Sequence, residues 1–435
     1  MKNISLFQGI LLGIFALGAA IGLFVFATYS GGGGAHSQVG TVVVWGTLPK
    51  NDVASALAAA VKDDQSLKGV TYVQEDPANL KSDLTSAIAT GKAPDLVLAS
   101  QQELATLAPF LQEIPSSQLS ANAFQSTFVD GASIFIAPDG GYYGIPFLVD
   151  PLVLFSNNAI LSSDGIAKPP SDWDGLTGLV PQVAQLTPSQ QVTRGLIALG
   201  TYANVHDALG ILSALFLQTG VPMAARSPNG LITTDLGNTS NGGVPPGEAV
   251  LRFYTQFADP AKVSYTWNGS LNDSQTAFLS GNLALYIGYA SEARYFAQAN
   301  PNLDFAVSPL PQPSTATTKI TYGRIYAFMI PKGATNSSGA YQAAALLTNT
   351  AEQQSSAAAT GLAPATRTAL ASPPSNDAVA SVAYASALYA RGWLSPAPGD
   401  TDQVFSTMIN NVITGNTTLG TALSLAERSL ASLLQ

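Results

Sequence analysis

Strand and helix patterns alternate along the first hundred residues, and this alternation is the strongest constraint on the fold. "TVVVWG", "VTYVQED" and "DLVLAS" are short apolar runs rich in β-branched residues, typical of buried strands. Helical spacing separates them over residues 52–62 and 80–88, and Gly91 is a suitable helix stop. Because helices between strands act as crossovers, the pattern predicts a mainly parallel α/β sheet covered on both faces.

Later segments predict longer elements. "GYYGIPFLVDPLVLFSNNAIL", broken at Pro146 and Pro151, predicts an extended strand long enough to leave one sheet and enter another. In "KPPSDWDGL" we expect a helix capped by Ser171 or Asp172, with Trp173 in a structural role. Residues 182–221 and 338–359 have helical patterns, whereas "LDFAVSPL" and "YGRIYAFMIP" indicate strands.

Composition excludes several classes of protein and site. The 435 residues are enough for two domains of about 200 residues. With 46% hydrophobic and 10% charged residues, the chain is not disordered. A net charge of −9 without a dense Lys/Arg run disfavours nucleic acid as a partner. The absence of cysteine excludes disulfides, thiolate metal sites and a lipidated N-terminal Cys, and two histidines cannot form a His-rich metal site. We expect no cofactor and no metal.

The N-terminal segment is long and uncharged. No charged side chain lies between Lys2 and Lys50, and residues 4–29 are predominantly apolar. Such a helix would be about 39 Å long, enough to cross a hydrocarbon core of about 30 Å. A secretory signal usually has a shorter apolar region, so an uncleaved transmembrane anchor is favoured over a cleaved signal. We therefore predict an anchor over 1–30, a Gly-rich tether over 31–40, and an extracytoplasmic domain beyond it.

The ordered segments resemble one known family. The resemblance is carried by "TVVVWG", "AIATGKAPDLVLAS", "YGIPFLVDPLVLFSNN", "PPSDWDGL", "AFLSGNLALYIGY", "DFAVSPLPQP", "YGRIYAFMIPKGA" and "GLAPATRTAL". From about residue 41 onward the chain is similar to the maltose-binding-like extracellular solute-binding proteins, the receptors that feed ABC importers. It departs from them in keeping an apolar N-terminal segment without a lipid-bearing Cys.

The resemblance implies a periplasmic-binding-protein-like fold, in which two α/β lobes enclose a ligand cleft. It places hinge crossovers near Asp150, near Pro311 and around residues 347–350. Lobe 1 would then comprise residues 41–150 and 311–350, and lobe 2 residues 151–310 and 351–435. Ligands of open α/β sheets bind beyond the carboxyl ends of strands, which agrees with this arrangement.

Strand ends supply the first candidate ligand-binding residues. Trp45 ends the first strand and could stack on a ligand or belong to the core. Gln101 follows the third strand and could bind hydroxyls or lie on the surface. In "AFLSGNLALYIGYASEARYF", Gly288 would let the backbone approach the cleft. On the family pattern Tyr289 would be a ligand platform, the alternative being a Tyr packed between lobe elements.

Loops and crossovers supply the other candidates, which are Asp150, Trp267, Asn268, Arg324, Tyr326, Arg367 and Trp393. Asp150 could contact ligand, as the family pattern implies, or hold the hinge by hydrogen bonds. Arg324 could contact an anionic or hydroxylated solute or pair with a nearby carboxylate. His206 is interpreted as a helix residue.

These candidates favour a binding protein over an enzyme. Trp and Tyr rings together with Gln, Asn, Asp and Arg suit the apolar faces and hydroxyls of a carbohydrate. We expect a monomeric, membrane-tethered receptor that passes a small solute, with sugar the leading class, to ABC importer permease subunits. An extracellular glycosidase with two carboxylates and a solute-sensing module are the alternatives.

Overall fold

The described chain alternates between strands and helices over its first elements, and pairs of consecutive strands or helices interrupt the alternation farther along. The structure is a computed structural model and describes residues 39–221, 223–226, 231–237 and 244–434. The first elements are β1 (Val42–Gly46), α1 (Lys50–Asp63), β2 (Val70–Gln74), α2 (Leu80–Ala89), β3 (Leu96–Ser100), α3 (Gln101–Leu107), β4 (Leu111–Gln112), α4 (Ala121–Thr127), β5 (Ile145–Asn157) and α5 (Asn158–Ser163). The middle elements are α6 (Trp173–Gly178), α7 (Val180–Val183), β6 (Gln185–Leu186), β7 (Val192–Ile197), α8 (Ala208–Gln218), β8 (Ala225–Arg226), β9 (Ile232–Thr233), α9 (Pro246–Thr255), α10 (Ser274–Leu279), β10 (Leu283–Tyr289), α11 (Glu292–Ala299) and β11 (Phe305–Pro309). The last elements are β12 (Thr321–Pro331), α12 (Ser337–Leu347), α13 (Thr350–Thr360), β13 (Ala363–Pro364), α14 (Arg367–Leu370), α15 (Ala378–Ala387), β14 (Ala390–Arg391), α16 (Pro398–Ile413) and α17 (Leu419–Leu433).

The main sheet is mixed rather than mainly parallel. Its strand order is β2-β1-β3-β12-β5-β10-β7-β6. As predicted, β1 pairs in parallel with β2 and β3. The central pairs β3–β12, β12–β5 and β5–β10 are antiparallel, so the prediction is wrong for the middle of the sheet. In the chain, neither β5 nor β12 follows its sheet neighbours through a helical crossover, so the crossover argument does not determine the direction of these strands.

β5 changes its partners halfway along. All thirteen of its residues are buried. Its first part pairs with β12 as far as Pro151, which lies opposite Gly323. From Leu152, which lies opposite Tyr289, it pairs with β10 and also with β11. The predicted extended strand is therefore confirmed, and it joins two parts of one continuous sheet.

Two helical predictions need correction. In the region 182–221, residues Val192–Ile197 form β7, and the helix α8 begins only at Ala208. The predicted long helix over 338–359 is two helices, because the Asn349 side chain caps α13 by accepting the backbone N–H of Glu352 at 2.9 Å. The helix at Trp173 is confirmed, with Asp172 as its cap: Oδ1 accepts the N–H of Gly175 at 2.8 Å.

A buried amide ties α13 to the crossing strands. Gln353 is fully buried, and its Oε1 accepts the N–H groups of Ala365 and Thr366, each at 2.9 Å. Its Nε2 donates to the carbonyl of Pro146 in β5 at 3.2 Å. One side chain thus contacts three backbone groups, although the N–H of Ala365 also donates to the carbonyl of Phe147 at 3.1 Å.

The described residues test neither the predicted membrane anchor nor the predicted division into two lobes. Within the described residues, no helix has both the length and the apolarity to cross a membrane. The apolar segment over 4–29 and the tether lie outside those residues. Val39–Gln435 form one compact unit, and the division of this unit into lobes stays a prediction.

Asp150 lies at the point where β5 changes partners. It is 2% exposed, and its two carboxylate oxygens accept the N–H and the hydroxyl of Ser291, at 3.1 and 2.7 Å. These bonds hold the turn between β10 and α11 against the crossing strand. Burial raises the pKa of Asp150 from 3.8 to about 6, although the bonds from Ser291 and the charge of Arg324 oppose the rise.

This raised pKa predicts a pH-dependent stability difference between the wild-type protein and Asp150→Asn. Because the folded-state pKa lies above the unfolded value, the folded state holds the proton longer, and stability falls as pH rises from about 4 to about 6. We expect the free energy of unfolding of wild type, relative to Asp150→Asn, to fall by about 2 kcal/mol between pH 4 and 7. Urea unfolding at both pH values measures it. The exposed Asp304→Asn is the control, and a difference independent of pH would contradict the assignment.

Candidate functional site

A cavity of about 500 Å³ lies where several elements meet. The carboxyl end of β10, the start of β12 and the first turn of α8 contribute to its lining, together with the start of α16. Three of the predicted residues line it, namely Tyr289, Arg324 and Trp393. The structure therefore brings together side chains that are 35 or more residues apart in sequence, as a binding site at strand ends requires.

Tyr289 and Arg324 form a stacked pair. The guanidinium carbon of Arg324 lies 3.8 Å from the centroid of the Tyr289 ring, within the range of a cation–π interaction. Tyr289 is only 3% exposed, so its ring face is covered by Arg324 and is not open as a platform. The Arg324 side chain is 35% exposed and approaches Asp207 Oδ1 at 3.7 Å. A ligand entering the cavity therefore meets Arg324 before it meets Tyr289.

Gly288 accommodates a carboxylate rather than a ligand. A β-carbon at this position would lie 2.3 Å from Tyr286 Cε1 and 2.5 Å from Glu292 Oε1. Without it, the Glu292 carboxylate folds back onto the strand end and accepts the N–H of Tyr289 at 2.7 Å. Gly288 was expected to let the backbone approach a ligand. In the structure the space beside it is occupied by the Glu292 carboxylate instead.

Trp393 links the cavity to a neighbouring one. Its ring is 4% exposed, and its indole N–H donates to Ser213 Oγ in α8 at 2.9 Å. It lines the main cavity on one side and a smaller cavity of about 270 Å³ on the other. An aromatic wall between two cavities suits a ligand with more than one ring.

Gln101 and Tyr326 pack within the main sheet. The Gln101 side chain is fully buried; its Oε1 accepts the N–H of Ile325 at 2.6 Å and its Nε2 donates to the carbonyl of Gly323 at 3.1 Å. Both polar atoms of the amide are thus engaged with β12. Tyr326 is 8% exposed in the middle of β12, and among the described residues it does not line the cavity. Both residues were predicted to contact ligand, but neither side chain lines the main cavity.

Trp267 and Asn268 shape a loop beside β7. Trp267 is 1% exposed and packs close to Gly195, so it is a core residue. The Asn268 amide donates to the hydroxyl of Tyr265 at 2.7 Å and accepts the N–H of Ser270 at 2.9 Å. Both were predicted as ligand contacts; the structure instead places Trp267 in the core and gives Asn268 hydrogen bonds within its own loop.

The other predicted residues lie elsewhere as well. Trp45 is half-buried at the carboxyl end of β1, outside the cavity lining given by the described residues. Arg367 pairs with Asp130, which also pairs with Arg391 at 2.9 Å. Asp150 uses both carboxylate oxygens on Ser291, which corresponds to the hinge-holding alternative.

Several lining residues were not predicted, among them Gln102, Tyr202, His206, Asp207 and Asp402. Three of the five follow β7, which the sequence pattern assigned to a helix, so the loop at its carboxyl end was overlooked. His206 precedes α8 instead of lying within it, and it is exposed. The β-branched pair at the start of "VTRGLIALG" was the available signal for this strand.

Tyr202 and Asp402 form a polar pair in the cavity wall. The Tyr202 hydroxyl donates to Asp402 Oδ1 at 2.5 Å. Burial, followed by the bond to Asp402, raises the pKa of Tyr202, so the phenol stays protonated and keeps its role as a donor. The remaining carboxylate lone pairs of Asp402 can accept ligand hydroxyls.

Two carboxylates lie close together beside the cavity. Burial, followed by the adjacent Asp207 carboxylate, raises the pKa of Glu292 to about 8. Burial also raises the pKa of Asp207, and Arg324 opposes this rise. His206, Asp207 and Glu292 can each offer one metal-ligand atom, and these atoms lie within 4.8 Å of one another.

Comparisons with known proteins agree with the fold. Residues 53–383 match the family model described as bacterial extracellular solute-binding protein. A comparison with curated protein sequences finds no significant match. A cyclo/maltodextrin-binding protein solved with maltotetraose superposes with a TM-score of 0.71 at 18% identity, covering 91% of this chain and 97% of that chain.

Two further solved structures are similar to a comparable degree. A cyclic alpha-maltosyl-1,6-maltose binding protein from Arthrobacter globiformis has a TM-score of 0.72 at 15% identity and covers 91% of this chain and 98% of that one. The GacH receptor of Streptomyces glaucescens, solved without ligand and with acarbose, has a TM-score of 0.68 at 16% identity, with coverages of 91% and 98%. These matches confirm the solute-binding-protein fold that the resemblance implied. Because the family model spans more than half of the sequence, the chain belongs to the bacterial extracellular solute-binding proteins.

Proposed function

We propose that this protein is an extracytoplasmic receptor that captures a carbohydrate and delivers it to an ABC importer. The observation that carries the proposal is the composition of the main cavity. It combines the apolar side chains of Val205, Leu209 and Pro398 and the edge of the site at Trp393 with Arg324 and with hydroxyl, carboxylate and amide groups. A sugar needs apolar surfaces for its ring faces and hydrogen-bond partners for its hydroxyls, and this lining offers both.

Similar structures support the same class of solute. The cyclo/maltodextrin-binding protein holds maltotetraose, and the GacH receptor holds acarbose. Another similar structure, of CpMnBP1, has mannobiose bound, at 18% identity and a TM-score of 0.65. The ligands differ between these proteins, so they support carbohydrate as a class and leave the particular sugar to experiment.

We further propose that the cavity lies between the two lobes. Gln102 and Arg324 come from the segments assigned to lobe 1, whereas His206, Tyr289 and Trp393 come from those assigned to lobe 2. A ligand that contacts both sets binds a closed arrangement better than an open one and therefore shifts the population toward closure. A receptor of this kind binds its solute and releases it unchanged, so it needs no catalytic group.

Replacing Arg324 tests the site. We expect maltotetraose or mannobiose to bind the full-length protein saturably, and Arg324→Met to weaken that binding tenfold to a hundredfold. Hydrogen bonds from a charged donor contribute about 1.5–3 kcal/mol, and Met keeps an unbranched chain over Tyr289. Titration calorimetry measures the affinity, and small-angle scattering should show a smaller radius of gyration upon binding.

Arg252→Met is the matched control, since Arg252 is exposed on α9 and pairs with Glu248 at 2.9 Å. It should bind like wild type. Unchanged affinity in Arg324→Met would remove Arg324 from the site. Failure of a broad sugar panel to bind, or appearance of hydrolysis products, would contradict the receptor proposal.

We propose that residues 1–30 anchor the receptor and that residues 31–40 act as its tether. The support is the uncharged apolar run over 4–29, which is longer than the apolar region of a cleaved signal. Full-length protein should therefore remain with membranes after an alkaline carbonate wash. Recovery of a mature form that lacks residues 1–30 from the soluble extracytoplasmic fraction would contradict the anchor.

A further inference from the structure

Asp207 has a buried carboxylate oxygen without a hydrogen-bond partner. The residue occupies the position before α8, where an Asp usually caps the helix, yet its side chain makes no capping bond. The side chain is 9% exposed, and its buried Oδ2 accepts no hydrogen bond from an N–H group or a hydroxyl; a proton on the neighbouring Glu292 is the donor that the protein itself could supply. Its Oδ1 has only Arg324, at 3.7 Å. A buried carboxylate oxygen in a native protein is normally paired, so this atom lacks a positive group.

Glu292 is held rigidly next to it. Oε1 accepts the N–H of Tyr289 at 2.7 Å, and Oε2 accepts the Tyr286 hydroxyl at 2.6 Å and the Gln275 amide at 2.9 Å. Three donors fix the carboxylate in one orientation and leave further lone pairs free. Outer hydrogen bonds of this kind orient the carboxylate ligands of metal ions.

His206 completes the group from the solvent side. It is exposed, and its Nδ1 lies 3.8 Å from Asp273 Oδ1. A carboxylate beside one ring nitrogen favours the tautomer whose other nitrogen carries a lone pair. One atom each from His206, Asp207 and Glu292 lies within 4.8 Å of the other two.

The charges around the group are unbalanced. Four carboxyl groups lie around the site, those of Asp150, Asp207, Asp273 and Glu292, and among the described residues Arg324 is the cation that pairs with Asp207. The guanidinium of Arg324 stacks on Tyr289 and approaches Asp207 at Oδ1. Oδ2 has no cation against it, and a proton shared with Glu292 is the alternative to a bound metal ion.

We propose that His206, Asp207 and Glu292 bind a divalent transition-metal ion, of the zinc type, at the wall of the ligand cavity. One imidazole nitrogen and two carboxylate oxygens are a typical three-residue zinc set, and the two carboxylates balance the charge of the ion. Tetrahedral ligands about 2.0–2.2 Å from zinc lie about 3.4 Å apart, so the three ligand atoms, which lie within 4.8 Å of one another, would move closer together on binding. Three protein ligands would leave a fourth position for a water or a solute hydroxyl.

Metal titration tests the site without any solute, so failure of this proposal and failure of the receptor proposal are distinguishable. Full-length protein is stripped with a chelator, exchanged into clean buffer and titrated with ZnCl₂ by calorimetry. We expect one equivalent to bind and the melting temperature to rise. His206→Ala and Asp207→Asn should each weaken zinc binding at least tenfold and abolish the rise in melting temperature.

His36→Ala is the matched control, since His36 is the other histidine of the chain, and it should bind zinc like wild type. Asp207→Asn should fold normally, because an amide can donate to Glu292 where the carboxylate cannot. Two outcomes would overturn the proposal. One is the absence of zinc binding at millimolar concentration, which would mean that a proton alone bridges the two carboxylates. The other is zinc binding that is equal in wild type, His206→Ala and Asp207→Asn.

Discussion

The backbone pairing of β5 is the constraint on which the rest of the structure depends. Its thirteen residues are all buried, so their polar backbone groups need partners inside the protein. β12 and β13 supply them for the first part, and β10 and β11 for the second. The change of partner at Asp150 and Pro151 places the start of β12 beside the carboxyl end of β10. The cavity follows from this juxtaposition, because Arg324 and Tyr289 lie on those two strand ends.

The same juxtaposition gathers acidic groups in a poorly solvated region, and each is compensated differently. Asp150 is satisfied by Ser291, Asp402 accepts from Tyr202, and Glu292 has three donors. Asp207 differs, because one of its oxygens is buried without a partner. A buried carboxylate oxygen without a partner calls for an explanation, and the zinc site proposed above is one that experiment can test.

The sequence patterns predicted the positions of strands and helices better than they predicted which side chains remain free to contact a ligand. The strands β1, β2, β3 and β5 were predicted because β-branched and apolar runs report directly on burial. β7 was missed, since "VTRGLIALG" precedes a long alanine- and leucine-rich stretch and was merged with it. Because of that error, the loop that carries Tyr202, His206 and Asp207 was not predicted as part of a site. Of the ten predicted site residues, the three that line the main cavity lie at or near strand ends, where the fold itself directs side chains toward ligand.

The sequence by itself determined the α/β class, the crossing strand and the family, because hydrophobic periodicity and segment order are local properties of the chain. Only the tertiary structure decided which polar and aromatic groups remain free for a ligand. Gln101 is engaged by Gly323, 222 residues away, and the Trp393 indole is oriented by Ser213, 180 residues away. Tyr289 has its ring covered by Arg324 for the same reason. Availability depends on partners brought close by folding, and nothing in the neighbouring sequence of a residue specifies them.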